Sequence, residues 1–176
     1  MELPEDDCGR KTELCDGRVI FMGQPGEQHA DVAMRLLLAL HQFVSVHRLG
    51  KVRNDVGFLL RSNPDRVVAP DVGFVDAAAL PANRDPKRHF PVPPTLAVEV
   101  VSPGDTDADV FSKMLEYLDA GTARVRVVRP ASHSVTVHGQ DRTERTIRTG
   151  VLMSEDAGFT VPGFELQLDE IFSTID

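Results

Sequence analysis

The sequence predicts an α/β protein: a mixed central sheet flanked by helices, with additional β-strands in the C-terminal half. Three observations predict it. The stretches 27–48 and 106–120 repeat apolar residues at three and four, the helical period. Short β-branched runs separate and follow them. Between them, Leu96-Ala97-Val98-Glu99-Val100-Val101 is apolar on both faces but for one acid, as an interior strand of a covered sheet would be. The 176 residues are read as one domain, residues 1–176, large enough to bury roughly 70% of the surface that the unfolded chain exposes.

In chain order, Glu13-Leu14-Cys15-Asp16-Gly17 reads as a turn feeding a strand from Arg18 to Met22, which stops at Gly23-Gln24-Pro25-Gly26. The first helix follows, with Ala33, Leu36, Leu37, Leu40, Phe43 and Val44 on one stripe. His47 and Arg48 suit its C-terminal end, and Gly50 is the expected stop. The runs Lys51 to Leu60 and Arg66 to Val75, split by Ser62-Asn63-Pro64-Asp65, are expected to pair antiparallel. Residues Asp76 to Pro94, rich in proline, form a loop with room for one helical turn. Leu96 to Val101 is the central strand. A second helix runs from Thr106 to Ala120, with Asp105 or Thr106 as N-cap and Gly121 at its end. Ala123 to Val128 and Ser134 to Val137 make a hairpin, and the remainder, through Phe159, Phe164 and Leu168, is expected to pack as short strands ending in Glu170-Ile171-Phe172.

Composition narrows the function classes. A hydrophobic fraction of 41% and a charged fraction of 26% are those of an ordinary globular protein, and 6% aromatic content argues against a platform for stacking bases. No window is long and apolar enough for a membrane span, and the acidic start Met1-Glu2-Leu3-Pro4-Glu5-Asp6-Asp7 lacks the form of a secretory signal, so a cytoplasmic protein is expected. Cys8 and Cys15 lack the spacing of a zinc site and read as inert thiols. The net charge of −8 weighs against a nucleic-acid partner. Residues 122–150 nevertheless hold Arg124, Arg126, Arg129, Arg142, Arg145 and Arg148 against Asp141 and Glu144, either a phosphate-facing patch or a solvated hairpin.

Chemistry concentrates at two acids. An ionised carboxylate such as Glu99 in a buried strand is costly unless a cation meets it. Glu99 shares its strand face with Ala97 and Val101, near the strand's C-terminal end, where open α/β sheets place ligand sites. Asp71 follows Pro70, which marks a strand end, an edge or a bulge, and a bulge would turn Asp71 toward Glu99. Mg²⁺ would satisfy both carboxylates with oxygen ligands. On the second helix Lys113 falls at the border of the apolar arc, beside Tyr117, and reads either as a snorkelling lysine or as one whose ammonium reaches the strand end. His29 lies on the buried stripe of the first helix and reads as a core histidine, Tyr117 as packing, and Glu27 as a first-turn acid. Ser102 lacks the G-x-S-x-G turn of a nucleophile.

Taken in order, Glu13-Leu14-Cys15-Asp16-Gly17-Arg18, His29, Ala69-Pro70-Asp71-Val72, Val98-Glu99-Val100-Val101-Ser102-Pro103, Lys113 with Tyr117 and Gly121, and Val161-Pro162-Gly163-Phe164 form a pattern. It resembles the PD-(D/E)XK phosphodiesterase superfamily and, within it, the restriction-endonuclease-like Uma-type proteins. The resemblance implies a restriction-endonuclease-like core and metal-dependent endonuclease activity on DNA with Mg²⁺ or Mn²⁺. It implies Asp71, Glu99 and Lys113 as catalytic residues, and Asp71, Glu99 and the backbone carbonyl of Val100 as metal ligands. Glu13 enters as an additional acidic ligand or water-holder, and the family's histidine at the position of His29 keeps a site role open there. The superfamily's usual strand lysine is replaced by Val101, and Lys113 on the next helix matches the Uma-type arrangement. DNA is the expected partner, no membrane is expected, and a homodimer is the expected assembly. Two rivals stand: a catalytically inactive nucleic-acid-binding or regulatory protein on the same fold, and a metal-dependent hydrolase of a small phosphorylated substrate.

Overall fold

A computed structural model describes residues 11–173, so the acidic start and Cys8 lie outside the described residues. The chain opens with a hairpin of β1 (Thr12–Cys15) and β2 (Arg18–Phe21). The turn expected over 13–17 shrinks to Asp16-Gly17, whose φ angles of 50° and 79° are those of a two-residue hairpin turn. Helix α1 (Glu27–His47) buries Val32, Leu36, Leu40 and Val44. It stops at Arg48, which turns left-handed and gives its N–H to the Val44 and Ser45 carbonyls. Gly50 is not that stop. It begins the next strand, where an added Cβ would stand 2.1 Å from the Val75 carbonyl oxygen.

The two runs read as one hairpin each divide in two. They form β3 (Gly50–Arg53), β4 (Phe58–Arg61), β5 (Arg66–Val68) and β6 (Val72–Asp76). The antiparallel pairing holds, but in separate sheets: β4 joins β5 and β3 joins β6. Pro70, which has no N–H to give a ladder, lies in the second break. The 76–94 loop carries one 3₁₀ turn at Ala77–Ala79, capped by the Asp76 carboxylate, as expected.

Strand β7 (Leu96–Val100) leads through helix α2 (Asp107–Asp119) to β8 (Arg124–Arg129), parallel to β7. Thr106 is the N-cap of α2: its Oγ1 accepts the Asp109 N–H at 3.1 Å. β9 (Ser134–Gly139) pairs antiparallel with β8, and β10 (Glu144–Ile147), not foreseen as a strand, extends the sheet. The six strands run β10-β9-β8-β7-β6-β3, and a second sheet runs β2-β1-β5-β4. The C-terminal part gives β11 (Val151–Met153) paired with β12 (Glu165–Gln167), but Leu168–Phe172 is a short helix, α3, rather than strand.

Alternation along β7 separates two cores. Leu96, Val98 and Val100 face α1 and the C-terminal segment, with Phe74, Phe159 and Phe164. Ala97 faces α2 together with Met114, Tyr117, Val125 and Val127. Each fully buried leucine, such as Leu36 or Leu40, contributes about 1.5–3 kcal/mol by removal from water. Among the described residues no helix is long and apolar enough to cross a membrane.

Candidate active site

Asp71 and Glu99 reach one cleft because a ladder ends between them. The antiparallel register of β6 and β7 stops at Val72 opposite Val98. Two residues further, where Pro70 would stand opposite Val100, the ladder does not continue and the Asp71 side chain takes over: its Oδ2 accepts the Val100 N–H at 2.8 Å. The local break at Ala69-Pro70-Asp71 thus aims the carboxylate at the C-terminal end of β7, where Glu99 stands. A cleft of about 1120 Å³, walled by α1, the 22–26 loop and the 101–105 loop, holds both acids together with Lys11, His29 and Lys113.

The protein supplies its own counter-charges. The Lys11 ammonium donates to Asp71 Oδ1 at 2.8 Å and lies 3.0 Å from Asp55 Oδ1. His29 Nε2 meets Asp71 Oδ2 at 3.1 Å. Glu99 accepts from Lys113 Nζ on Oε2 at 3.0 Å and from the Tyr117 hydroxyl on Oε1 at 2.7 Å. The expectation that these acids need a metal ion to be electrically tolerable is therefore corrected: lysine, histidine and tyrosine donors already offset them.

Electrostatics separates the groups. Burial alone would raise the Asp71 carboxyl, but the His29 hydrogen bond and the Lys11 ammonium hold it well below the usual carboxylate range. Burial and the neighbouring Asp71 charge push Glu99 up against the pull of Lys113. For Lys113, burial is outweighed by Glu99 and Glu13, which hold it above the ordinary lysine value, so it stays an ammonium. It is a donor and not a base. Burial and the Glu99 charge keep the Tyr117 phenol protonated.

Glu13 does not line the cleft. It lies behind Lys113, with Oε1 at 3.0 Å from its ammonium and Oε2 accepting from Arg66 at 3.3 Å, while Arg66 Nε holds Glu116 at 2.7 Å. The lysine is thereby fixed between two carboxylates. His29 lies in the cleft wall, largely buried and outside the core clusters, with Nε2 at 3.1 Å from Asp71 Oδ2. Sequence reasoning missed Lys11 and took Tyr117 for packing alone. Strand alternation sets Lys11 on the face of Glu13, and Tyr117 lies one helical turn beyond Lys113, so the period-2 and i, i+4 signals were both there.

Four of the six clustered arginines, Arg126, Arg129, Arg142 and Arg145, are buried or paired with acids. Arg126 is fully buried beneath the Phe164 ring, its Nε on the Asp156 carbonyl at 3.1 Å. Burial pushes its guanidinium down to about 10. Arg129 pairs with Asp107, Arg142 with Asp119 and Arg145 with Asp156. Arg124 starts β8 opposite Leu96, at the other end of β7 from Glu99, and Arg148 is exposed after β10.

A metal ion would find only part of its shell here. Among the described residues no three His, Cys, Asp or Glu side chains converge as a cage. The two acids still suit a hard cation that takes one or two carboxylates and leaves its other positions to water and phosphate. Asp71 Oδ1 and the two Glu99 oxygens each take one hydrogen bond and keep a lone pair, whereas Asp71 Oδ2 is taken up by the Val100 N–H and His29.

The comparisons with known proteins agree with this architecture. The model of the Uma2 family, described as "Putative restriction endonuclease", matches residues 1–169. A crystal structure of a protein from Anabaena variabilis, described as a "putative nuclease belonging to DUF820", superposes with a TM-score of 0.73 at 17% identity, covering 92% of this chain and 89% of that one. It shows a shared fold, the restriction-endonuclease-like α/β core. No curated protein matches the chain in sequence.

Proposed function

As the chain belongs to the Uma2 family, a nuclease family by its description, we propose that it is a Mg²⁺- or Mn²⁺-dependent endonuclease that hydrolyses phosphodiester bonds of DNA in the cleft between α1 and the end of β7. The observation that carries the reading is the meeting of Asp71 and Glu99, from separate strands, in one cleft with the Lys113 ammonium on Glu99. Asp71 and Glu99 would hold the ion, with the Val100 carbonyl. In an extended strand a residue's N–H and C=O project to the same side, so the Val100 carbonyl faces the gap into which its N–H meets Asp71. A divalent ion there would supply charge stabilisation to a phosphoryl oxygen and acidify a water.

The chain's own residues do the rest. Lys113 gives one N–H to Glu99 and is ion-paired with Glu13 at 3.0 Å, which leaves donor capacity for negative charge developing at phosphorus. Tyr117 and Glu13 hold Glu99 and Lys113 in register, and His29 orients Asp71. The test is cleavage of single- and double-stranded DNA with Mn²⁺, against Asp71→Asn and Glu99→Gln: activity lost in both variants and in excess chelator is the expected result, and activity equal to wild type in either one refutes the role.

A second reading, hydrolysis of a small phosphorylated substrate, is favoured by one observation. Asp55, Asp105 and Asp109 line the cleft, and no arginine among the described residues does. Turnover of bis(p-nitrophenyl) phosphate without cleavage of any DNA form would select it.

A further inference from the structure

We propose that Lys11 is the resident cation of the acid pair, and that a divalent ion gains Asp71 only by displacing it onto Asp55. The inference rests on the reading of Asp71 and Glu99 as a metal site, and it adds how that site is governed.

The three donors on Asp71 differ in how they are held. Those on Oδ2 are fixed: the Val100 N–H belongs to the central strand and His29 to the packed face of α1. Oδ1 is held by Lys11 alone, a long flexible side chain in the segment that leads into β1. A carboxylate oxygen binds Mg²⁺ at about 2.0–2.1 Å, whereas the Lys11 ammonium lies 2.8 Å from the same atom. Both cannot occupy that side of the carboxylate, and at such separation in a half-buried cleft a unit charge and a divalent charge repel strongly.

Lys113 is not suited to the exchange, because its second carboxylate, Glu13, is buried and itself held by Arg66, which ties the lysine inside the wall. Lys11 is. Its ammonium already lies 3.0 Å from Asp55, whose side chain is 53% exposed at the cleft wall, so on leaving Asp71 it keeps one carboxylate. Lys11 therefore acts as a tethered competitor for the ion.

The experiment is calorimetric titration of Mn²⁺ into wild type, Lys11→Met and Lys11→Gln at one pH and ionic strength, with Asp71→Asn as control. Both Lys11 variants are expected to bind Mn²⁺ at least tenfold more tightly than wild type, and Asp71→Asn not at all. Wild-type binding with unchanged or weakened affinity in the Lys11 variants overturns the exchange and leaves the metal site standing. Absence of Mn²⁺ binding in every protein overturns the metal site itself, and the exchange with it. A second measurement needs no variant: acetylation of Lys11 by an N-hydroxysuccinimide ester, followed by mass spectrometry, is expected to rise several-fold when Mn²⁺ is added. An unchanged rate counts equally against the exchange.

Discussion

Lys113 is the residue on which the proposed chemistry turns, and its surroundings define what its removal does. Because Glu99 and Glu13 keep it charged, Lys113→Ala should lower turnover by about 10²–10³-fold, the scale of losing one donor to a developing oxyanion. Mn²⁺ affinity should stay within a few-fold of wild type, and turnover retained at the wild-type rate would remove the lysine from the mechanism. Two histidines give a pH signature that needs no substrate. Burial tends to lower His29, but the hydrogen bond and charge of Asp71 win and raise it; burial lowers His138. In metal-free protein the His29 ring should therefore titrate above, and His138 below, the ordinary value of about 6.5. The stability each contributes has opposite sign. That of His29 is full below about pH 6.5 and is lost as pH rises through its folded value, whereas that of His138 is full above about pH 6.5 and is lost as pH falls toward its folded value. Histidine-resolved NMR titration, with His29→Gln and His138→Gln for assignment, checks both directions, and a swapped order would refute them.

Among the elements, α1 and α2 bear the site from opposite faces of β7, and each has one position that tests its hold. Leu36 and Leu40 have no exposed surface and pack on the β7 face that carries Val98 and Val100. Leu40→Ala should cost about 2–5 kcal/mol, read by urea unfolding, since the cavity collapses only in part. The start of α2 depends on Thr106, so Thr106→Ala should cost about 1 kcal/mol, with a frayed first turn seen as faster amide exchange at Asp109. The helices and the central strand were legible in the sequence because their periods are local. Their neighbours were less so. The runs 51–60 and 66–75 look continuous, yet each serves two sheets, and only partners far along the chain decide where a run must break. Leu168–Phe172, whose Leu, Asp and Glu suit a helix start, forms a short helix held against α1.

At the scale of the whole molecule, much of the positive charge in the C-terminal half is committed within the fold. Arg129, Arg142 and Arg145 are joined to acids, and Arg126 is sunk in the core. Arg142 pairs with Asp119 at the end of α2 remote from the cleft, so Arg142→Ala should leave the salt dependence of DNA binding unchanged, read by fluorescence anisotropy over a series of salt concentrations. A slope reduced by about one would return that arginine to the interface. What the sequence by itself determined was the set of elements with strong local periods, the alternation that puts Glu99 opposite the Val98 face, and the acid pair with Lys113 as candidates. What only the tertiary structure decided was the company those acids keep: Lys11 on Asp71, Tyr117 on Glu99, Glu13 behind Lys113 and Arg126 inside the core. Backbone period is written in neighbouring residues. Which charges meet depends on how strands and helices far apart in the chain are brought side by side, and no local pattern carries that information.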